Sequence, residues 1–135
     1  MGHYIYINEF GGVAKVAMSE NTLTDLQTMV DGYIEMPSAS IAGIACDVVV
    51  NEEGLFRQDF SVNFVASAIL RQRVVGPAVL ARVDAQGNTI GFTADQIDAI
   101  VRDGLEVSEA VFTPEEVAEY RAEVIFHASN FEEIL

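Results

Sequence analysis

The segment Ile41-Ala-Gly-Ile-Ala-Cys-Asp-Val-Val-Val50 carries one charged side chain, Asp47, and ends in three β-branched residues. A run this apolar needs cover on both faces, and it is far too short to span a bilayer. It predicts a strand in the interior of a sheet, and the rest of the chain has to supply that strand's neighbours.

Suitable neighbours are readable on either side. Alternation over residues 4–7, the glycine pair Gly11-Gly12 and a second extended pattern over 13–18 predict a hairpin. Thr22 is expected to start a helix, with Asp25 as its capping acid, Leu23, Leu26, Met29 and Val30 at helical spacing, and Gly32 as its stop. A short strand over 33–36 closes at Pro37. Residues 51–54 have turn composition, and 55–57 are expected to return beside the preceding strand. A short helix over 63–70 should face Phe64, Val65, Ala68 and Ile69 inward. After Gly76-Pro77, strands over 78–83 and 89–92 form a hairpin around 84–88.

Two further helices announce themselves by the same signal. Thr93 with Gln96, and Thr113 with Glu116, have capping-box spacing; Phe92 with Ile97, and Phe112 with Val117, are placed to staple. Pro114 suits the first helical position and Gly104 a helix stop. The expected fold is α+β: a mostly antiparallel sheet of about six strands built from hairpins, one helix packed on it, and two acidic C-terminal helices.

The chain has 135 residues, half of them hydrophobic, which suits one domain over 1–135. Its start lacks the pattern of a secretory signal, so a cytoplasmic protein without membrane attachment is expected. Cys46 is the only cysteine, which removes disulfides and cysteine-pair metal motifs and leaves a small buried hydrophobe as its simplest role. The net charge of -14 opposes direct binding to nucleic acid. Much of that charge lies late. From Asp95 onward eleven carboxylates face only Arg102 and Arg121.

Motifs for chemistry are scarce. His3 and His127 lie at opposite ends without metal-ligand spacing. Asp84, Gln86, Asn88 and Asp95 mimic a calcium loop, but Thr89 stands where that loop requires glycine, and Ile90 and Phe92 demand a strand. Asp47 is the best candidate for a buried catalytic carboxylate, although a solvent-facing position on the strand explains it as well. No phosphate loop or nucleophile elbow occurs, so no cofactor and no enzymatic activity are expected. Glu115, Glu119 and Glu123 recur every four residues, and with Glu116 they form the candidate interaction face. Arg57, Arg71, Arg73 and Arg82 are the candidate cations for a ligand.

Several stretches resemble a known family. They are Leu26-Gln-Thr-Met-Val-Asp-Gly-Tyr-Ile-Glu35, Val48-Val-Val-Asn-Glu-Glu-Gly-Leu55, Asn63 with Ala66, Gly76-Pro-Ala-Val-Leu80 to Gly87, and Gly91-Phe-Thr-Ala-Asp-Gln96. Together they are similar to a domain-of-unknown-function family of small proteins from phages, plasmids and integrative elements, often encoded near anti-restriction proteins. The resemblance covers about residues 3–103 and brings no active site with it. Phe60-Ser61-Val62 departs from the Leu-Pro often found there. Residues 104–135 read as an acidic helical extension.

These observations lead to three expectations. The first is a non-catalytic acidic binding protein of a phage or mobile element, mimicking nucleic-acid charge towards an unidentified host protein, with a homo-oligomer as a further partner class. The second is a small protein that sequesters a nucleotide-like ligand. An enzyme using buried carboxylates is the third.

Overall fold

Alternation along strand β1 (His3–Ile7) sets the architecture, because Tyr4 and Tyr6 enter one core while Ile5 and Ile7 enter another. The computed structural model describes residues 2–120. Its elements continue with β2 (Val13–Ala17), α1 (Thr22–Val30), β3 (Ile34–Glu35), β4 (Ser38–Ile41), β5 (Ile44–Asn51), a single 3-10 turn (Gly54–Phe56) and α2 (Phe64–Leu70). Then follow β6 (Ala78–Val83), β7 (Thr89–Ile90), α3 (Ala94–Arg102), β8 (Ser108–Phe112) and α4 (Pro114–Tyr120).

The strands form one sheet in the order β3-β5-β6-β1-β2-β8, with β4 also on β5 and β7 also on β6. It is antiparallel except where β8 lies parallel to β2. Leu26, Met29 and Val30 of α1 and Val117 of α4 join Tyr4, Tyr6, Val49 and Val79 in one core. Ala66 of α2 and Ile97 and Ile100 of α3 join Ile5, Ile7, Val48 and Leu80 in the other. The sheet is therefore the middle of three layers, with a helix pair on each side. Among the described residues no helix is long and apolar enough to cross a membrane.

Both predicted capping boxes form. Thr93 Oγ1 accepts from Gln96 N at 3.2 Å while Gln96 Oε1 accepts from Thr93 N at 2.9 Å. Thr113 and Glu116 make the same reciprocal pair at 3.1 and 3.0 Å. Thr93→Ala should lower stability by about 1 kcal/mol, read as a shift in the urea midpoint. The 84–88 hairpin closes as expected. Asp84 Oδ1 accepts from Gln86 N and Asn88 N, and the Asn88 bond holds the Asp84 carboxyl below its usual range.

Several expectations are corrected. The apolar run 41–50 is not one strand, because Ala42 and Gly43 both adopt left-handed conformations, with φ of 51 and 77, and turn β4 tightly into β5. Residues 55–57 do not return as a strand, because β3 and β4 occupy one side of β5 and β6 the other. The chain instead makes its 3-10 turn there. Helix α1 is capped by Asn21, whose side chain accepts from Thr24 N, and Asp25 turns inward. In α2 the buried residue is Ala66, while Phe64 is 77% exposed and Ala68 is also exposed. Among the described residues, cover for the sheet comes from four helices rather than one, and the strands number eight rather than about six.

Candidate functional site

Three buried carboxamides and one buried carboxylate fix the loops from which any site must be built. Asn63 Nδ2 donates to Ile7 O at 3.0 Å and Gly76 O at 2.9 Å, while its Oδ1 accepts from Ala66 N at 3.0 Å. Asn51 Nδ2 donates to the carbonyls of Val30 and Asp31 at the end of α1, and its Oδ1 accepts from Glu53 N. Asn8 Oδ1 accepts from Phe10 N and Gly12 N across the first hairpin. Asp25 accepts from Tyr4 Oη at 2.8 Å, Ser19 N at 2.8 Å and Ser19 Oγ at 2.6 Å, which anchors the link between β2 and α1.

The four arginines named from the sequence occupy different environments. Arg57 is fully engaged: its Nη2 lies 2.8 Å from Asp31 and 2.6 Å from Asp59, and its guanidinium sits 4.1 Å from the Phe60 ring centroid. The hydrogen bonds with Asp59 and then Asp31 raise its pKa further above the ordinary value. Arg71 is the exposed left-handed C-cap of α2. Arg73 is exposed beside a small recess of about 100 Å³ that Glu35 and Glu52 also line.

Arg82 differs from all three. It is half-buried on β6, and its guanidinium makes one long hydrogen bond, from Nη1 to Gln96 Oε1 at 3.4 Å. Its Nε is buried without a partner among the described residues, and the only ion pairs there belong to Arg57. A guanidinium offers five N–H donors, and among the described residues this one uses a single donor, at Nη1.

The side chain borders a cleft of about 640 Å³. The β6–β7 hairpin contributes Arg82, Thr89 and Ile90, the end of β2 gives Met18 and Ser19, and the starts of α1 and α3 give Thr22, Thr93 and Ala94. The backbones of Gly2 and Gly91 also line the cleft, where His3 N donates to Phe92 O at 3.0 Å and Phe92 N to His3 O at 2.8 Å. A Cβ on Gly91 would lie 2.6 Å from the carbonyl carbon of Gly2 and from His3 N, so this crossing of chains requires glycine. Hydroxyls, a cation and the positive ends of two helix dipoles thus meet in one recess. The sequence pointed to Arg82 alone. The hydroxyl residues come from segments far apart in the chain, and the only local sign was a lone cation within an apolar strand.

The other sequence candidates are placed as follows. Glu115, Glu116 and Glu119 are exposed on α4, with the Glu116 carboxylate held by the Thr113 cap. Glu123 and His127 lie outside the described residues. Asp47 is half-buried on β5, 3.5 Å from Ser38 Oγ. Cys46 is buried, and burial followed by the charge of Asp47 pushes its thiol up to about 11.

Burial, then the hydrogen bond to Asp25 and its charge, push the Tyr4 phenol far above its ordinary value of 10.0. Both groups keep their protons in the folded chain at a pH where the unfolded chain loses them. Their contribution to stability is complete below about pH 9 and is lost as pH rises through the folded-state values. The urea midpoint should therefore fall between pH 8 and pH 10.5. Cys46→Ala should lessen that fall.

The layered sheet defines a mixed α/β protein, and the Arg82 cleft lies where strand ends meet the starts of α1 and α3. Residues 3–104 match the model of a family described as a domain of unknown function (DUF3846), and the chain belongs to that family. No curated protein and no solved structure matches it. The match stops before β8 and α4, yet Phe112 and Val117 from those elements fill the same core as Tyr4 and Tyr6. This part of the acidic extension is built into the sheet.

Proposed function

We propose that this protein binds a small phosphate-type anion in the Arg82 cleft and does so without catalysis. One observation carries this reading: in a chain of net charge -14, a half-buried guanidinium at the wall of a cleft makes no ion pair among the described residues. Burying a cation without a counter-charge is costly, and an anionic ligand would supply that charge. Addition of phosphate at about a hundred times its Kd should stabilise the fold by about 2.7 kcal/mol, a rise on the order of 10 °C in the unfolding midpoint. Arg82→Gln should unfold at one temperature with or without phosphate. Equal stabilisation of wild type and variant would remove the cleft from consideration.

A second reading concerns the acidic side of the molecule. Strand β8 is the last in the sheet order and exposes Glu109, while Glu115 and Glu119 are exposed on the helix that follows. Such a surface suits a basic host protein, in the manner of nucleic-acid mimicry by a phage or mobile element acting in the cytoplasm. Changing Glu115, Glu119 and Glu123 to Gln should abolish capture of a basic partner from the native host. Recovery of the same partner by both forms would end this reading.

A further inference from the structure

We infer that the ligand of the Arg82 cleft is a pentose monophosphate, either free or as the sugar phosphate of a nucleoside 5′-monophosphate. The inference rests on the anion-binding reading above and narrows it in size, charge and polarity.

Size is the first argument. A cleft of about 640 Å³ falls in the range that holds a whole small molecule, several times what one phosphate group needs. Charge is the second. One guanidinium can fork onto two oxygens of a single phosphate, and the starts of α1 and α3, nine residues each, add only partial positive charge. Against this stand Glu20 and Asp95, both exposed and next in sequence to the lining residues Ser19 and Ala94. With the chain's overall charge they disfavour a ligand bearing three or four negative charges, so one phosphate fits and a triphosphate does not.

Polarity is the third. Beyond Arg82 the wall includes Ser19, Thr22, Thr89 and Thr93. The hydroxyls of Thr22 and Thr89 can donate and accept, that of Thr93 accepts from Gln96 N and can still donate, and that of Ser19, which donates to Asp25, can accept. This mixture suits the hydroxyls of a sugar. Met18 and Ile90 add apolar surface for the carbon face of the ring. Ser19 is also fixed in place, since its backbone N–H and its hydroxyl both bond to the buried Asp25. A wall residue held by the core is pre-organised for recognition.

Isothermal titration of the full-length protein tests this with inorganic phosphate, ribose, ribose 5-phosphate, adenosine 5′-monophosphate and adenosine triphosphate. Ribose 5-phosphate should bind about tenfold or more tighter than inorganic phosphate, and ribose should not bind measurably. The triphosphate should bind at least about tenfold more weakly than the monophosphate. Thr89→Val should weaken ribose 5-phosphate several-fold and leave inorganic phosphate unchanged, while Arg82→Lys, which keeps the charge but loses the fork, should weaken both. Tighter binding of the nucleoside monophosphate than of the sugar phosphate assigns a nucleotide, and equal binding assigns the free sugar phosphate. If phosphate binds but ribose 5-phosphate gains nothing over it, or the triphosphate binds as well as the monophosphate, the inference is overturned and the anion site stands. If wild type binds none of the five, both are overturned.

Discussion

Alanine at position 63 is expected to lower the stability of this protein by about 3–5 kcal/mol, a large part of what a domain of this size possesses. Asn63 is fully buried, and its one side chain satisfies three backbone groups from three places: the end of β1, the approach to β6 and the first turn of α2. Its removal leaves the carbonyls of Ile7 and Gly76 without their donor and the amide of Ala66 without its acceptor. Each buried group left unpaired costs about 1–3 kcal/mol, and the lost helix cap accounts for about 1 kcal/mol of the total. Asn63→Asp separates this from a volume effect. The carboxylate keeps the cap but cannot donate to either carbonyl, so urea unfolding should place it near the alanine variant. A midpoint close to wild type for either variant would contradict the role assigned to Nδ2.

The second large effect is expected at Gly76, whose carbonyl is one of the groups that Asn63 holds. Its φ is +94, a conformation that side chains disfavour, and a Cβ there would lie 2.5 Å from Cδ2 of the buried Phe60 ring. The ring has nowhere to withdraw without breaking its stack against Arg57, which in turn pairs with Asp31 and Asp59. Gly76→Ala should therefore cost about 2–4 kcal/mol, combining backbone strain with overpacking. Phe60→Leu, combined with Gly76→Ala, should recover part of that loss because the clash is with the ring edge. Strict additivity of the two substitutions would show that the glycine's role is conformational alone.

These two residues, with Asn51, lie in stretches through which the family membership was readable. Their work is architectural: they join helix ends to strand ends through buried backbone groups. Recognising the family therefore located the scaffold and left the site unassigned. Arg82, Gly91, Thr93 and Ala94 also lie in those stretches, but the recess is completed by Gly2, Met18, Ser19 and Thr22 from elsewhere in the chain, so no one segment carries its signature.

By itself the sequence determined whatever depends on neighbours a few residues apart. Thr93 with Gln96, Thr113 with Glu116, and the Asp84 turn were all readable, because a cap or a tight turn is complete within four or five residues. The period-two pattern of residues 4–7 was readable for the same reason, as was the burial of Cys46 in an apolar run. Only the tertiary structure decided that β8 pairs in parallel with β2, that residues 55–57 find both sides of β5 occupied, and that Phe64 faces outward while Ala66 is buried. It also decided that Arg57 is spent on Asp31 and Asp59 while Arg82 faces a cleft and makes no ion pair among the described residues. Pairing partners, free sheet edges and counter-charges are properties of segments brought together from a distance. Four arginines that look alike in sequence become different only when the fold chooses their neighbours.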